Sequence, residues 1–122
     1  MLDPNFIILY VNTPSISSAF YTKLLNKQPV ESSANFVMFV LNAGVKLGLW
    51  SKDDVKPEVT AASGSTELAI AVNDDEQVRT LYDEWKKQGL TLIQPPTPMD
   101  FGLNFVALDP DGHRIRVFTQ TY

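Results

Sequence analysis

Gly112-His113-Arg114-Ile115-Arg116-Val117-Phe118, close to the end of the chain, has a counterpart in Gly44-Val45-Lys46-Leu47-Gly48-Leu49-Trp50 near its middle. Within the later stretch Arg114, Arg116 and Phe118 share one face of a strand, and Ile115 and Val117 share the other, because side chains alternate with period two. By the same parity Gly48 and Trp50 face together. Sliding the chain on itself by 61 residues, half of its 122, extends the correspondence: Val11 falls on Val72, Asn12 on Asn73, Phe20 on Leu81 and Tyr21 on Tyr82. Leu9–Gln28 and Ile70–Gly89 then read alike as strand end, cap and amphipathic helix. A fixed offset over both halves is the mark of an internal duplication.

Each half reads β-α-β-β-β. Phe6–Asn12 is an apolar run of strand length. Thr13 stands at a helix N-cap with Pro14 in the first turn, and Ile16, Phe20 and Leu24 supply an apolar stripe at fourfold spacing. Strands are expected at Pro29–Ser32, Phe36–Leu41 and Val45–Trp50, the last two joined by a turn at Asn42-Ala43-Gly44. The second half begins with Glu67–Val72. Asn73 or Asp74 caps a helix whose buried stripe is Val78, Leu81, Tyr82 and Trp85, and Gly89 stops it. Strands at Thr91–Gln94, Leu103–Leu108 and His113–Thr119 follow, with Asp109-Pro110-Asp111-Gly112 as the last turn. The chain is therefore one α+β domain over residues 1–122, with module one at about 5–50, a flexible connector at 51–65 and module two at about 66–119. Pro95, Pro96 and Pro98 lack backbone donors, so the segment after Gln94 is expected as an irregular edge or a lid, not a central strand.

Composition narrows the function. Ten basic and fourteen acidic side chains give a net charge of −4, opposite to the footprint of a nucleic-acid binder. No apolar run approaches the ~20 residues of a membrane span. Asp3 and Pro4 replace the basic start of a signal peptide, so a cytoplasmic protein is expected. The absence of cysteine removes disulfides, thiol nucleophiles and thiolate metal sites. The single histidine, His113, falls in the turn motif, and no nucleophile–base pair or glycine-rich phosphate loop accompanies it.

The two β-α-β-β-β units and the Leu108-Asp109-Pro110-Asp111-Gly112-His113-Arg114-Ile115 stretch resemble the vicinal oxygen chelate superfamily, the glyoxalase/bleomycin-resistance/dioxygenase fold. The resemblance implies that each half makes a curled sheet, that two such sheets form a ligand cup, and that the halves of one cup often come from different subunits. Metal enzymes of the superfamily take ligands from the first and last strand of each half. Those places are Phe6, Gly48, Glu67 and Arg116 here, and the repeat independently aligns Phe6 with Glu67 and Gly48 with Arg116. One carboxylate beside a phenylalanine, a glycine and a guanidinium is no ligand set for a divalent cation. No metal, no cofactor and no catalytic residue are therefore expected.

Gly48-Leu49-Trp50-Ser51, Glu84-Trp85-Lys86-Lys87-Gln88 and the terminal motif are similar to the metal-free, phenazine-resistance branch of that superfamily. That likeness implies a homodimer with cups at the subunit boundary and a metal-independent protein that sequesters a small planar aromatic antibiotic. The alternative is a metal-dependent glyoxalase-type lyase or an antibiotic-modifying transferase. The ligand-binding residues expected are Phe6, Gly48, Trp50, Glu67, Asn104, Val106, Arg116 and Phe118. In this reading Gly48 beside Trp50 leaves a slot one aromatic ring thick. Arg116, steadied by Glu67 across the pseudo-twofold, receives an acidic group. Asn104 and Val106 face the cup, while Phe105 turns to a helix.

Overall fold

Alternating strands and one helix per half assemble into two modules of the same topology in the computed structural model, which describes residues 2–119. Module one comprises β1 (Phe6–Val11), α1 (Pro14–Leu25), β2 (Glu31–Ser32), β3 (Phe36–Val40) and β4 (Lys46–Ser51), with sheet order β1-β4-β3-β2. Module two comprises β5 (Glu67–Val72), α2 (Asp75–Lys87), β6 (Thr91–Met99), β7 (Gly102–Leu108) and β8 (Arg114–Thr119), with order β5-β8-β7-β6. The described residues form two compact units that divide between Ala61 and Ala62. In both, the first strand lies parallel to the last, and the remaining pairs are antiparallel. The registers repeat too: Phe6 pairs with Lys46 and Ile8 with Gly48, as Glu67 pairs with Arg114 and Ala69 with Arg116. The fold is α+β, two tandem βαβββ modules. Among the described residues no helix is long and apolar enough to cross a membrane.

Each helix covers one face of its own sheet; on the face turned away from the helix, Phe6, Ile8 and Tyr10 of module one are exposed, whereas Asn104 and Val106 of module two are buried. Val37, Phe39, Leu47 and Leu49 are buried in module one, and Phe105, Ala107, Ile115 and Val117 in module two. Phe105 meets Tyr82 and Trp85 of α2 edge-on at 5.4 and 5.2 Å; burying a ring of that size stabilises by about 2 kcal/mol. The α2 ends are closed by hydrogen bonds. Asp74 Oδ1 accepts from the backbone N–H of Gln77 at 2.8 Å, and Gln77 Oε1 accepts from that of Asn73 at 3.0 Å. Gly89, at φ 84°, lets its own N–H reach Lys86 and that of Leu90 reach Trp85, a Schellman end that needs a left-handed residue.

Three expectations are corrected. The buried face of α1 is Pro14, Ser17 and Tyr21, whereas Ile16 is 58% exposed and Phe20 and Leu24 are half-buried. The small Ser17 lets the helix approach the sheet, and the apolar weight of Ile16 does not decide its direction. Thr13 occupies the N-cap, yet its side chain makes no capping bond; its carbonyl accepts the N–H of Ile16 and Ser17 instead. The proline segment is the irregular edge that was expected, although the strand continues past Gln94: β6 runs to Met99 at the sheet edge with register shifts at Leu92/Gln94 and Gln94/Thr97, so its prolines need not donate inward. The connector is not loose from its start, because Val55 is buried just beyond a single turn at Lys52–Asp54.

Candidate functional site

On the helix-free face of module two, strand parity sets Glu67 of β5, Arg116 of β8 and Asn104 of β7 side by side. Arg116 Nε donates to Glu67 Oε2 at 2.5 Å and Nη2 to Oε1 at 3.1 Å, a bidentate fork. Its third edge, Nη1, donates to Asn104 Oδ1 at 2.6 Å. Asn104 is fully buried and fully satisfied: Oδ1 also accepts from Gln94 Nε2 at 2.9 Å, and Nδ2 donates to the carbonyls of Thr97 and Gly102 at 3.0 and 3.3 Å. The two carbonyls can only accept, which fixes the amide's orientation and turns its oxygen toward the guanidinium. Phe101 lies under the cation at 6.0 Å and meets Phe118 edge-on at 5.8 Å. The Arg116 hydrogen bonds hold the Glu67 carboxyl below the usual carboxylate range against a smaller opposing effect of burial, helped by the charges of Arg116 and Arg114. Glu67 and Arg116 thus pair within one sheet, not across the pseudo-twofold as expected, since β5 and β8 are adjacent strands.

The helix-free face of module one is aromatic. Phe36 lies opposite Trp50 in register and Met38 opposite Gly48, so both join the Gly48 face, whereas Phe39 is buried under the helix. A Cβ at Gly48 would stand 2.8 Å from Cζ of Phe36 and 2.9 Å from Cε1 of Phe6. The slot expected beside Trp50 is therefore filled: without a side chain on the central strand, rings from both flanking strands lean over the bare Cα. Phe6 and Phe36 sit 6.4 Å apart at a tilt of 41°, and Tyr10 meets Trp50 edge-on at 6.2 Å.

His113 belongs to the turn. Asp109 Oδ1 accepts the backbone N–H of Asp111 and of His113, both at 2.9 Å, and Oδ2 lies 2.9 Å from His113 Nδ1. Gly112, at φ 88°, allows the chain to reverse. The hydrogen bond to Asp109 raises the imidazole above its ordinary value, against burial and with help from the charges of Asp109 and Asp111.

A divalent metal does not fit the four places that the resemblance implies for its ligands. Phe6 and Gly48 offer no donor, Arg116 is a cation, and both Glu67 oxygens are engaged by Arg116. Asp109, Asp111 and His113 offer ligand atoms within 4.8 Å of one another, but both Asp109 oxygens already serve the turn.

The eight expected residues fall into two sets. Glu67, Asn104, Val106, Arg116 and Phe118 gather on the helix-free face of module two, where Val106 lies opposite Arg116 and Asn104 opposite Phe118, and where Val106 and Asn104 are themselves buried. Phe6, Gly48 and Trp50 gather on that of module one. Sequence reasoning missed Phe36, Phe101 and Gln94. Parity along Phe36–Val40 could have found the first; Phe101, in the turn between β6 and β7, carries no periodic signal.

A model of the glyoxalase/bleomycin resistance protein/dioxygenase superfamily matches residues 4–117. The chain is 31% identical over 119 residues to the phenazine antibiotic resistance protein EhpR of Enterobacter agglomerans, covering 95% of this chain and 91% of that protein. The solution structure of protein ATC0852 from Agrobacterium tumefaciens is similar at a TM-score of 0.91 and 46% identity, over all of both chains. A glyoxalase-related enzyme from Fulvimarina pelagi is similar at a TM-score of 0.85 and 26% identity, over 98% of this chain and 89% of that one.

Proposed function

The chain belongs to the glyoxalase/bleomycin resistance protein/dioxygenase superfamily, and from that premise we propose that it is a metal-independent binding protein. In this reading it sequesters a planar, phenazine-like aromatic antibiotic and so confers resistance without altering it. The observation that carries the reading is the Glu67–Arg116 fork at the two places in module two where a metal enzyme of the superfamily needs ligands. The Glu67 carboxylate is already charge-compensated by a guanidinium, and Phe6, Gly48 and Arg116 add no further ligand atom, so the Lewis-acid chemistry of glyoxalase-type lyases and transferases has no ligand set there. The likeness to a phenazine antibiotic resistance protein supports the ligand class. The aromatic face of Phe6, Phe36, Tyr10 and Trp50 supports a flat apolar partner, since offset and edge-on ring contacts add about 0.5–1.5 kcal/mol beyond simple burial. The only imidazole in the chain has its Nδ1 engaged by Asp109 within the turn, which supports a structural role for it.

The protein acts as a cytoplasmic homodimer whose cups lie at the subunit boundary. Exposed Phe6, Ile7, Ile8 and Tyr10 on the sheet-edge strand β1 support a second copy as the partner. The test is a thermal-shift screen of phenazines and other planar natural products, with and without a chelator. A ligand at a hundred times its Kd adds about 2.7 kcal/mol of stability, which registers as a clear rise in melting temperature. The reading expects phenazines to raise it equally in chelator, and Trp50→Ala to weaken them by roughly tenfold. No shift with any planar compound, or a shift only with added metal, overturns it.

A further inference from the structure

We infer that Glu67 is the specificity-determining residue of this site, and that by neutralising Arg116 it tunes the polar end of the cup to an uncharged acceptor, a carboxamide, carbonyl or ring nitrogen, in preference to a free carboxylate. The inference rests on the binding function proposed above and replaces the acidic ligand group expected from the sequence.

A guanidinium carries five N–H donors and one charge. Arg116 spends two donors on the Glu67 oxygens and a third on Asn104 Oδ1, leaving one N–H on each Nη atom. Its charge is matched by a carboxylate on an adjacent strand, in a pair where the Arg116 side chain is only 16% exposed. Asn104 cannot release its share, because its amide is held by three other partners in a fully buried setting. Two N–H groups in a fixed fork with little net charge suit a neutral acceptor. A carboxylate taking the free N–H on Nη2 would approach within about 5 Å of Glu67 Oε1, which accepts from that same nitrogen. Two anions that close oppose each other in a partly dry site. Arg114 also faces this side from β8, opposite Glu67 in register, but it is exposed and its charge is screened by solvent.

The experiment is calorimetric titration at pH 7 of phenazine, phenazine-1-carboxamide and phenazine-1-carboxylic acid into the parent and Glu67→Gln. The parent is expected to bind the carboxamide roughly tenfold more tightly than the acid, and Glu67→Gln, which frees the Arg116 charge, to reverse that order. The parent's preference alone decides the question if Glu67→Gln does not fold, which its melting curve reports. Tighter binding of the acid by the parent, equal binding of phenazine and its carboxamide, or a folded Glu67→Gln with the parent's order overturns the inference and leaves the binding function standing. Failure of all three compounds to bind the parent overturns both.

Discussion

Adding a methyl group at Gly48 places a carbon 2.8 Å from the Phe36 ring and 2.9 Å from that of Phe6. Both neighbours are ends of side chains on an open face, so they yield by tilting while the backbone keeps its place. Gly48→Ala should cost about 1 kcal/mol and Gly48→Val up to about 3 kcal/mol, the range for overpacking. In a Phe36→Ala background the Gly48→Ala cost should shrink, a coupling that urea melts of the four proteins measure. Equal cost in both backgrounds would show that the rings do not press on this position. At Asn104 the stakes are polar. Asn104→Leu keeps the volume but strips a partner from Arg116 Nη1, Gln94 Nε2 and two carbonyls. Destabilisation of about 3 kcal/mol is expected, since buried polar groups lose their partners without regaining water. A change below 1 kcal/mol in chemical denaturation would remove Asn104 from the frame of the site.

The Asp109–His113 turn is an element whose stability depends on pH, and the sign is fixed by the direction of the shift. His113 titrates above its ordinary value in the fold. The protonated imidazole therefore stabilises the native state, fully below its unfolded pKa, and this contribution is lost as pH rises through the folded value. Melting temperatures across neutral pH should fall with rising pH in the parent and flatten in Asp109→Asn. Asp109→Ala, which also strands the N–H groups of Asp111 and His113, should cost about 2 to 3 kcal/mol where His113 is neutral and more where it is protonated. An unchanged slope in Asp109→Asn would assign the pH dependence elsewhere. Glu67 contributes with the opposite sense: its depressed carboxyl stabilises above the usual carboxylate range, and the contribution is lost as pH falls through the folded value. Among the helices, α2 was legible and α1 was not. Carrying the α2 stripe of Val78, Tyr82 and Trp85 back by 61 residues lands on Ser17, Tyr21 and Leu24. The repeat thus pointed to Ser17 and Tyr21, the pair found buried, which hydrophobicity alone passed over.

For the whole molecule, the proposed dimer predicts a mass near twice 13.6 kDa by light scattering at micromolar concentration. A C2 pair is the commonest closed assembly for such chains. A monomeric mass would sink the shared cup, though not the ligand chemistry of each face. Metal independence is checked on the same sample. A chelator should leave the melting temperature unchanged, and zinc, nickel or manganese should not bind stoichiometrically, since binding to the native state alone would raise stability. Metal that copurifies one per chain and is lost on mutating Glu67 would reverse this reading.

The residues by themselves determined the duplication, the α+β class, the faces of β7 and β8, and the partnership of Glu67 with Arg116. Period and parity are local properties, written every second or fourth residue, and a lone cation on an inward face requires an anion. Only the tertiary structure decided that Phe6 and Phe36 fill the gap over Gly48, that β6 continues past Gln94 to Met99, and that Asn104 takes the third edge of Arg116. These depend on register between strands that the chain brings together from separate stretches; β1 with Phe6 lies beside β4 with Gly48 although a helix and two strands intervene. A pattern says which way a side chain points. Which atoms consume its donors or occupy its space is set by whatever the neighbouring strand brings opposite, and that was not written in any single stretch of the sequence.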